Sequence, residues 1–239
     1  MNDPSPNHPP LTPTTTKALE RFRAASDCRL ERYRAWERFY AVAETIICTL
    51  SRDRADIAYF LPYSFHVVPG GVAGGRDDLA VDVIFGNRPY DASGARVTDD
   101  VRPLRLHTEN GASMRYERMD SGQVLCLLYP ARAERTQSRV SLVLLERIRH
   151  PDQLNKRTLS RHLSYLAAYM AVTSLDGSPT FAQRARYAFI YLKCRYAIDG
   201  QMRPSRWSIG LRKLLWWVAT VGCSGAVLFV LQRYLSSPK

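Results

Sequence analysis

The sequence predicts an α+β fold: an antiparallel β-meander packed with helices, preceded by a disordered arm and a long helix, and followed by one C-terminal transmembrane helix. Three observations carry this reading. Apolar residues recur three and four apart between Lys17 and Ser51, strand-like alternation broken by turn dipeptides fills residues 63 to 148, and 18 uncharged residues run from Leu214 to Leu231. With 239 residues, 46% of them hydrophobic, the chain is long enough to bury a core in one or two domains.

Residues 1 to 16 hold five prolines and almost no large apolar side chain, so nothing offsets the entropy lost on ordering them. They read as a disordered arm. Asp3 and the prolines stand where an export signal has a basic start and an apolar run, so no secretory leader is expected.

The helix over Lys17 to Ser51 has its best apolar register in Tyr33, Trp36, Tyr40, Ala43, Ile47 and Leu50. Upstream, Ser26 and Arg29 interrupt the stripe, which favours packing on the domain core over a long coiled coil. Arg32, Arg34 and Arg38 alternate with Glu31 and Glu37, the pattern of a solvated face.

Six strands are expected: Ser64–Val68, Leu79–Phe85, Leu104–Glu109, Ser113–Met119, Gln123–Tyr129 and Val140–Ile148. Asn110-Gly111 suits a two-residue hairpin and Asp120-Ser121-Gly122 the next reversal. The two most apolar strands, Gln123–Tyr129 and Val140–Ile148, belong at the centre of the sheet, with helices over one face. A second helical segment covers His150 to Ser174. A third starts at the N-cap Ser178 with Pro179 behind it and stops at Asp199-Gly200. Its apolar side is Phe181, Ala185, Phe189, Leu192 and Tyr196, while Arg184, Arg186, Lys193 and Arg195 are free for lipid headgroups or protein, so interface contact and core packing both stand open.

As a helix, Leu214 to Leu231 spans roughly 27 Å, close to the hydrocarbon thickness of a bilayer. Arg212 and Lys213 end the run on one side and Arg233 and Tyr234 on the other, with Trp216 and Trp217 placed for an interface. The expected order is therefore arm 1–16, α+β domain 17–200, basic linker 201–213, span 214–231 and tail 232–239. Ala219, Gly222, Cys223 and Ala226 put small residues on adjoining ridges, a surface through which spans associate into homo-oligomers.

The formal charge of +12 is unevenly spread, since residues 180 to 239 carry ten basic residues against Asp199 alone. Eight of the ten precede the span and two follow it, which by the positive-inside rule places the N-terminal domain in the cytoplasm as a single-pass, tail-anchored-like protein beside anionic headgroups. This topological use of the charge removes the main argument for a nucleic-acid partner.

Catalytic signatures are sparse. Cys28, Cys48, Cys126, Cys194 and Cys223 are widely spaced, with no CxxC pair, and read as reduced structural thiols, so neither metal nor cofactor is expected. The glycine-rich Gly70–Asp78 lacks the lysine and following helix of a phosphate loop and reads as a hairpin connection; Asp77, Asp78 and Asp82 around it read as solvated acids. Two R-x4-H stretches, Arg102 to His107 and Arg157 to His162, match a spacing seen in metal-independent ribonucleases, a match that a chain this rich in arginine produces by chance. A polar cluster of His66, His107 and Glu109, with Arg105, Arg115 and Glu117 nearby, is the candidate acid–base group, its faces undecided because one residue of register slip exchanges them. The functional expectation is a membrane-tethered cytoplasmic binding or sensing module acting on a protein or small ligand. The alternatives are an oligomeric effector that perturbs the bilayer and a membrane-attached enzyme.

Overall fold

A computed structural model describes residues 13–72, 78–93, 96–97, 100–101, 105–134, 138–205, 207–210, 213 and 216–217. In chain order the elements are α1 (Pro13–Arg52), α2 (Ala55–Ala58), β1 (Phe65–Pro69), β2 (Ala80–Phe85), β3 (Asn87–Ser93), β4 (Arg96–Val97), β5 (Asp100–Val101), β6 (Arg105–Asn110), β7 (Ser113–Arg118), β8 (Val124–Tyr129), β9 (Arg132–Ala133), β10 (Val140–Ile148), α3 (Lys156–Thr173), α4 (Phe181–Lys193), β11 (Arg195–Ile198) and β12 (Gln201–Arg203).

The main sheet is antiparallel throughout, in the order β1-β2-β7-β8-β10-β11-β12. β8 and β10 lie at its centre, where the apolar runs Val124–Tyr129 and Leu142–Leu145 place them. Tyr116 of β7 meets Phe39 of α1 edge-on at 5.9 Å and stacks on His162 of α3 at 5.8 Å, so both helices cover the same sheet face. Trp36, Ala43 and Ile47 of the expected stripe are buried there, joined by Ala35 and Phe39. The indole N–H of Trp36 donates to the Asp78 carbonyl at 2.6 Å. From Thr16 to Leu30 nearly every residue of α1 is exposed, as the break at Ser26 and Arg29 implies. α1 begins at Pro13, four residues before the expected start.

Three readings of turns are corrected. Asn110-Gly111 is no hairpin turn: β6 pairs with β3 and β9, whereas β7 pairs with β2 and β8. The run β2–β3 lies antiparallel to β6–β7 as one long ribbon that passes from the main sheet into the small β3-β6-β9 sheet, and it bends where Gly111 N–H donates to the Gly86 carbonyl at 2.9 Å. A Cβ on Gly111 would lie 2.4 Å from that of Phe85, and one on Gly86 2.5 Å from the Tyr63 carbonyl oxygen, so glycine is required by close approach. The third helix ends at Lys193, six residues before Asp199. Asp199 and Gly200, at φ 50° and 76°, instead turn the β11–β12 hairpin. Its N-cap is Thr180, whose hydroxyl accepts from Gln183 N–H while the Gln183 side chain accepts from Thr180 N–H, a closed capping box that Ser178 does not form. The reversal at Asp120–Gly122 and the hairpin joining β1 to β2 stand as expected, residues 73–77 of the latter lying outside the described residues.

Among the described residues no helix is long and apolar enough to cross a membrane. Most of the 214–231 run lies outside them, including Ala219, Gly222, Cys223 and Ala226, as do Arg212, Arg233 and Tyr234. Lys213, Trp216 and Trp217 are helical and exposed.

Candidate functional site

A buried polar chain lies between the centre of the main sheet and α3. β8 and β10 run in register from Val143 opposite Leu128 to Ile148 opposite Val124, except for a bulge between Leu144 and Glu146. The extra residue changes the alternation, so Glu146, and not Leu145, pairs with Cys126 on the helix-covered face. There its carboxylate meets α3: the Glu146 Oε2 accepts from Arg161 at 2.8 Å and lies 2.8 Å from His162 Nε2. On the other side of the ring, His162 Nδ1 is 3.0 Å from the Tyr116 hydroxyl and 3.7 Å from the Cys126 thiol.

One proton assignment satisfies this chain. A carboxylate can only accept, so Nε2 carries the hydrogen toward Glu146, Nδ1 is bare, and the Tyr116 O–H donates to it. Burial of the completely enclosed His162 pushes it below its ordinary value, against the pull of Glu146. Burial would raise Glu146, but its bonds to His162 and Arg161 outweigh that and hold it below the usual carboxylate value. Burial also drives the Tyr116 hydroxyl and Cys126 thiol well up, so Cys126 is an enclosed protonated thiol and no nucleophile.

The outer edge of this chain opens into a cleft of about 430 Å3 between β10, α3 and α4, lined by Glu146, Arg147, Arg161, Tyr165, Lys193 and Cys194 among others. Lys193 and the half-exposed Arg161 bring positive charge to it, and its carboxylate, Glu146, is already bonded to Arg161 and His162. A small anion is the ligand this charge balance suits.

The histidine predicts a pH response. Its folded value is depressed, so the stability it contributes is complete above its ordinary value of 6.5 and falls away as pH drops below that, because the unfolded chain takes up a proton that the folded one resists. Glu146, also depressed, adds a further loss as pH falls below its ordinary 4.5. Thermal melts from pH 8 to pH 4 should show both losses in the wild type, and His162→Gln should lack the first and show a smaller second, since His162 helps to hold Glu146 down. A variant with the wild-type slope just below pH 6.5 would show that His162 is not the group responsible.

The residues singled out from sequence are dispersed. His66 is exposed on the edge strand β1, its Nε2 2.8 Å from the Ser64 hydroxyl. His107 and Glu109 share the buried face of β6 but serve different partners. His107 Nδ1 lies 3.0 Å from Glu134, an acid the sequence reading did not single out, while Glu109 accepts from the Tyr63 hydroxyl at 2.6 Å and Leu175 N–H at 2.8 Å. Arg115 donates twice to Asp82 across the β2–β7 pair, so Asp82 is a buried ion-pair partner and not a solvated acid. Arg157 is exposed, and it is the neighbouring Arg161 that approaches the His162 site through Glu146. No group of three or more metal-ligating side chains occurs among the described residues. Comparison of the chain with protein-family models, curated proteins and solved structures finds no match.

The Tyr116–His162–Glu146–Arg161 chain escaped sequence reading because it depends on the bulge. A legible trace existed only in Glu146, an acid directly after the apolar run Leu142–Leu145, and His162, a polar residue beside Leu159, Leu163 and Leu166 on the helical stripe.

Proposed function

We propose that this chain is a membrane-tethered binding or sensing module, anchored by residues 214–231 with its folded domain in the cytoplasm, and that its ligand is a small anionic molecule held in the cleft between β10, α3 and α4. The observation that carries the ligand reading is the pair of cations Arg161 and Lys193 on a cleft whose sole acid, Glu146, is already engaged. The anchor rests on the 18 uncharged residues and the basic flank before them. Sensing follows from connectivity. An anion that draws Arg161 away from Glu146 strengthens the carboxylate's claim on the His162 proton, and the change reaches Tyr116 in the core through one ring.

Full-length protein in lipid nanodiscs, titrated calorimetrically with inorganic pyrophosphate, tests the ligand reading. Saturable binding is expected, weakened about tenfold or more in Arg161→Ala, the size of one charge-assisted hydrogen bond. Absence of binding, or equal binding by the variant, overturns it. In sealed cells an external protease should leave the domain intact and cleave it only after permeabilisation; cleavage in intact cells would reverse the assigned topology.

A further inference from the structure

The apolar stripe of α4 faces outward. The residues that pack α4 on the domain are Tyr187, Ile190 and Tyr191, with Ile190 fully buried and the two tyrosines in a ring cluster with Tyr169 and Tyr196. Phe181 is 88% exposed, Phe189 47% and Leu192 42%. With Ala185 and Ala188 these fall within an arc of roughly 100° on the helix. Exposed cations border the arc on both sides, Arg184 on one and Arg186 and Lys193 on the other, and the helix has no acid. An outward apolar arc between rows of cations is the composition of a helix that lies in a membrane interface.

The chain length beyond α4 says which surface is within reach. The β11–β12 pairing holds the chain to the domain as far as Arg203, and Ser205 just beyond it is buried, its hydroxyl accepting from Ser208 N–H at 3.3 Å. Nine residues then lead to Leu214, at most about 30 Å if extended and about 14 Å as helix, and residues 207–210, 213 and 216–217 are helical. Met202 on the β12 strand and Trp207 are exposed as well.

We propose that the outer face of α4 seats on the surface of a bilayer containing anionic lipid, with Phe181, Phe189 and Leu192 among the acyl chains and Arg184, Arg186 and Lys193 on lipid phosphates. This rests on the tethered reading above and adds an orientation: the domain lies against the membrane. It also sets the cleft beside Phe189 and Lys193 at the headgroup level.

Photocrosslinking tests it. Full-length protein carrying p-benzoylphenylalanine in place of Phe189, or of Phe22 on the exposed part of α1, is reconstituted in vesicles of phosphatidylcholine with or without 30% phosphatidylglycerol. The Phe189 probe should capture lipid at least threefold more in the anionic vesicles, with the excess abolished by Arg184→Gln/Arg186→Gln/Lys193→Gln, and the Phe22 probe should capture little in either. A Phe189 adduct to a second copy or to residues 214–231, capture indifferent to lipid charge, or equal capture at Phe22 overturns the docking. Carbonate washing of the same vesicles separates the two readings: protein that washes off refutes the tether, whereas protein that stays without a lipid adduct at Phe189 refutes only the docking.

Discussion

Replacing Glu109 by alanine is expected to cost about 3–5 kcal/mol of folding stability, the range for removing one partner of a buried charged cluster. Glu109 is 1% exposed and joins three parts of the fold. It accepts from the Tyr63 hydroxyl ahead of β1 and from Leu175 N–H after α3, and Arg88 of β3 lies 3.4 Å away. Burial and the bond to Glu109 both push the Tyr63 hydroxyl up, so it stays a donor. Alanine leaves that hydroxyl and the Leu175 amide unpaired and removes one of the two acids facing Arg88, whose Nε is already without a partner. Against a typical total of about 5–15 kcal/mol, this is a large fraction. Urea unfolding should show it as a lowered midpoint with unchanged slope. Glu109→Gln, which keeps an acceptor and the shape, should lose less. A cost below 1 kcal/mol for alanine would mean that the cluster does not tie the small sheet to the α3 end.

Gly111→Ala is expected to be destabilising by about 3 kcal/mol or more, at the upper end for overpacking. The added carbon would sit 2.4 Å from Phe85 Cβ and 2.8 Å from the Phe85 carbonyl oxygen, and both belong to a strand whose neighbours are fixed by the β2–β7 ladder. No flexible side chain is available to yield. Gly200→Ala separates crowding from backbone strain: a Cβ there meets nothing within 4 Å, yet φ is +76°. That variant should cost only about 1–2 kcal/mol. Equal losses for the two glycines would show that the bend at Gly86 and Gly111 does not depend on close approach.

Much of the fold was readable because it rests on local periodicity. The alternation in Leu79–Phe85 and Ser113–Met119, the apolar runs around Cys126 and Val143, and the stripe from Tyr33 to Leu50 each correspond to an observed element or buried face. Asn110-Gly111 and Asp199-Gly200 were misread for one reason. A glycine after a short polar residue signals that the backbone departs from its regular path, but whether the departure turns a hairpin, bends a ribbon or ends a helix depends on what the flanking segments pair with. β3, with its proline, charges and small residues, carried no strand signal and forms only because β6 lies beside it.

Periodicity likewise identified the apolar residues of α4 without saying which way they face. Phe181, Ala185, Phe189 and Leu192 make a better apolar stripe by composition than Tyr187, Ile190 and Tyr191, yet the latter pack inward, Ile190 buried and the tyrosines half-buried, because they meet the tyrosine cluster and α3. By itself the sequence determined the α+β class, the central strands, the core-facing stripe of α1 and the uncharged run at 214–231, since each is a property of neighbouring residues. Only the tertiary structure decided the two-sheet ribbon, the outward face of α4 and the Tyr116–His162–Glu146–Arg161 chain. These depend on strand partners far apart in sequence and on one inserted residue in β10, which moved Glu146 to the covered face and thereby gave a buried histidine its acid.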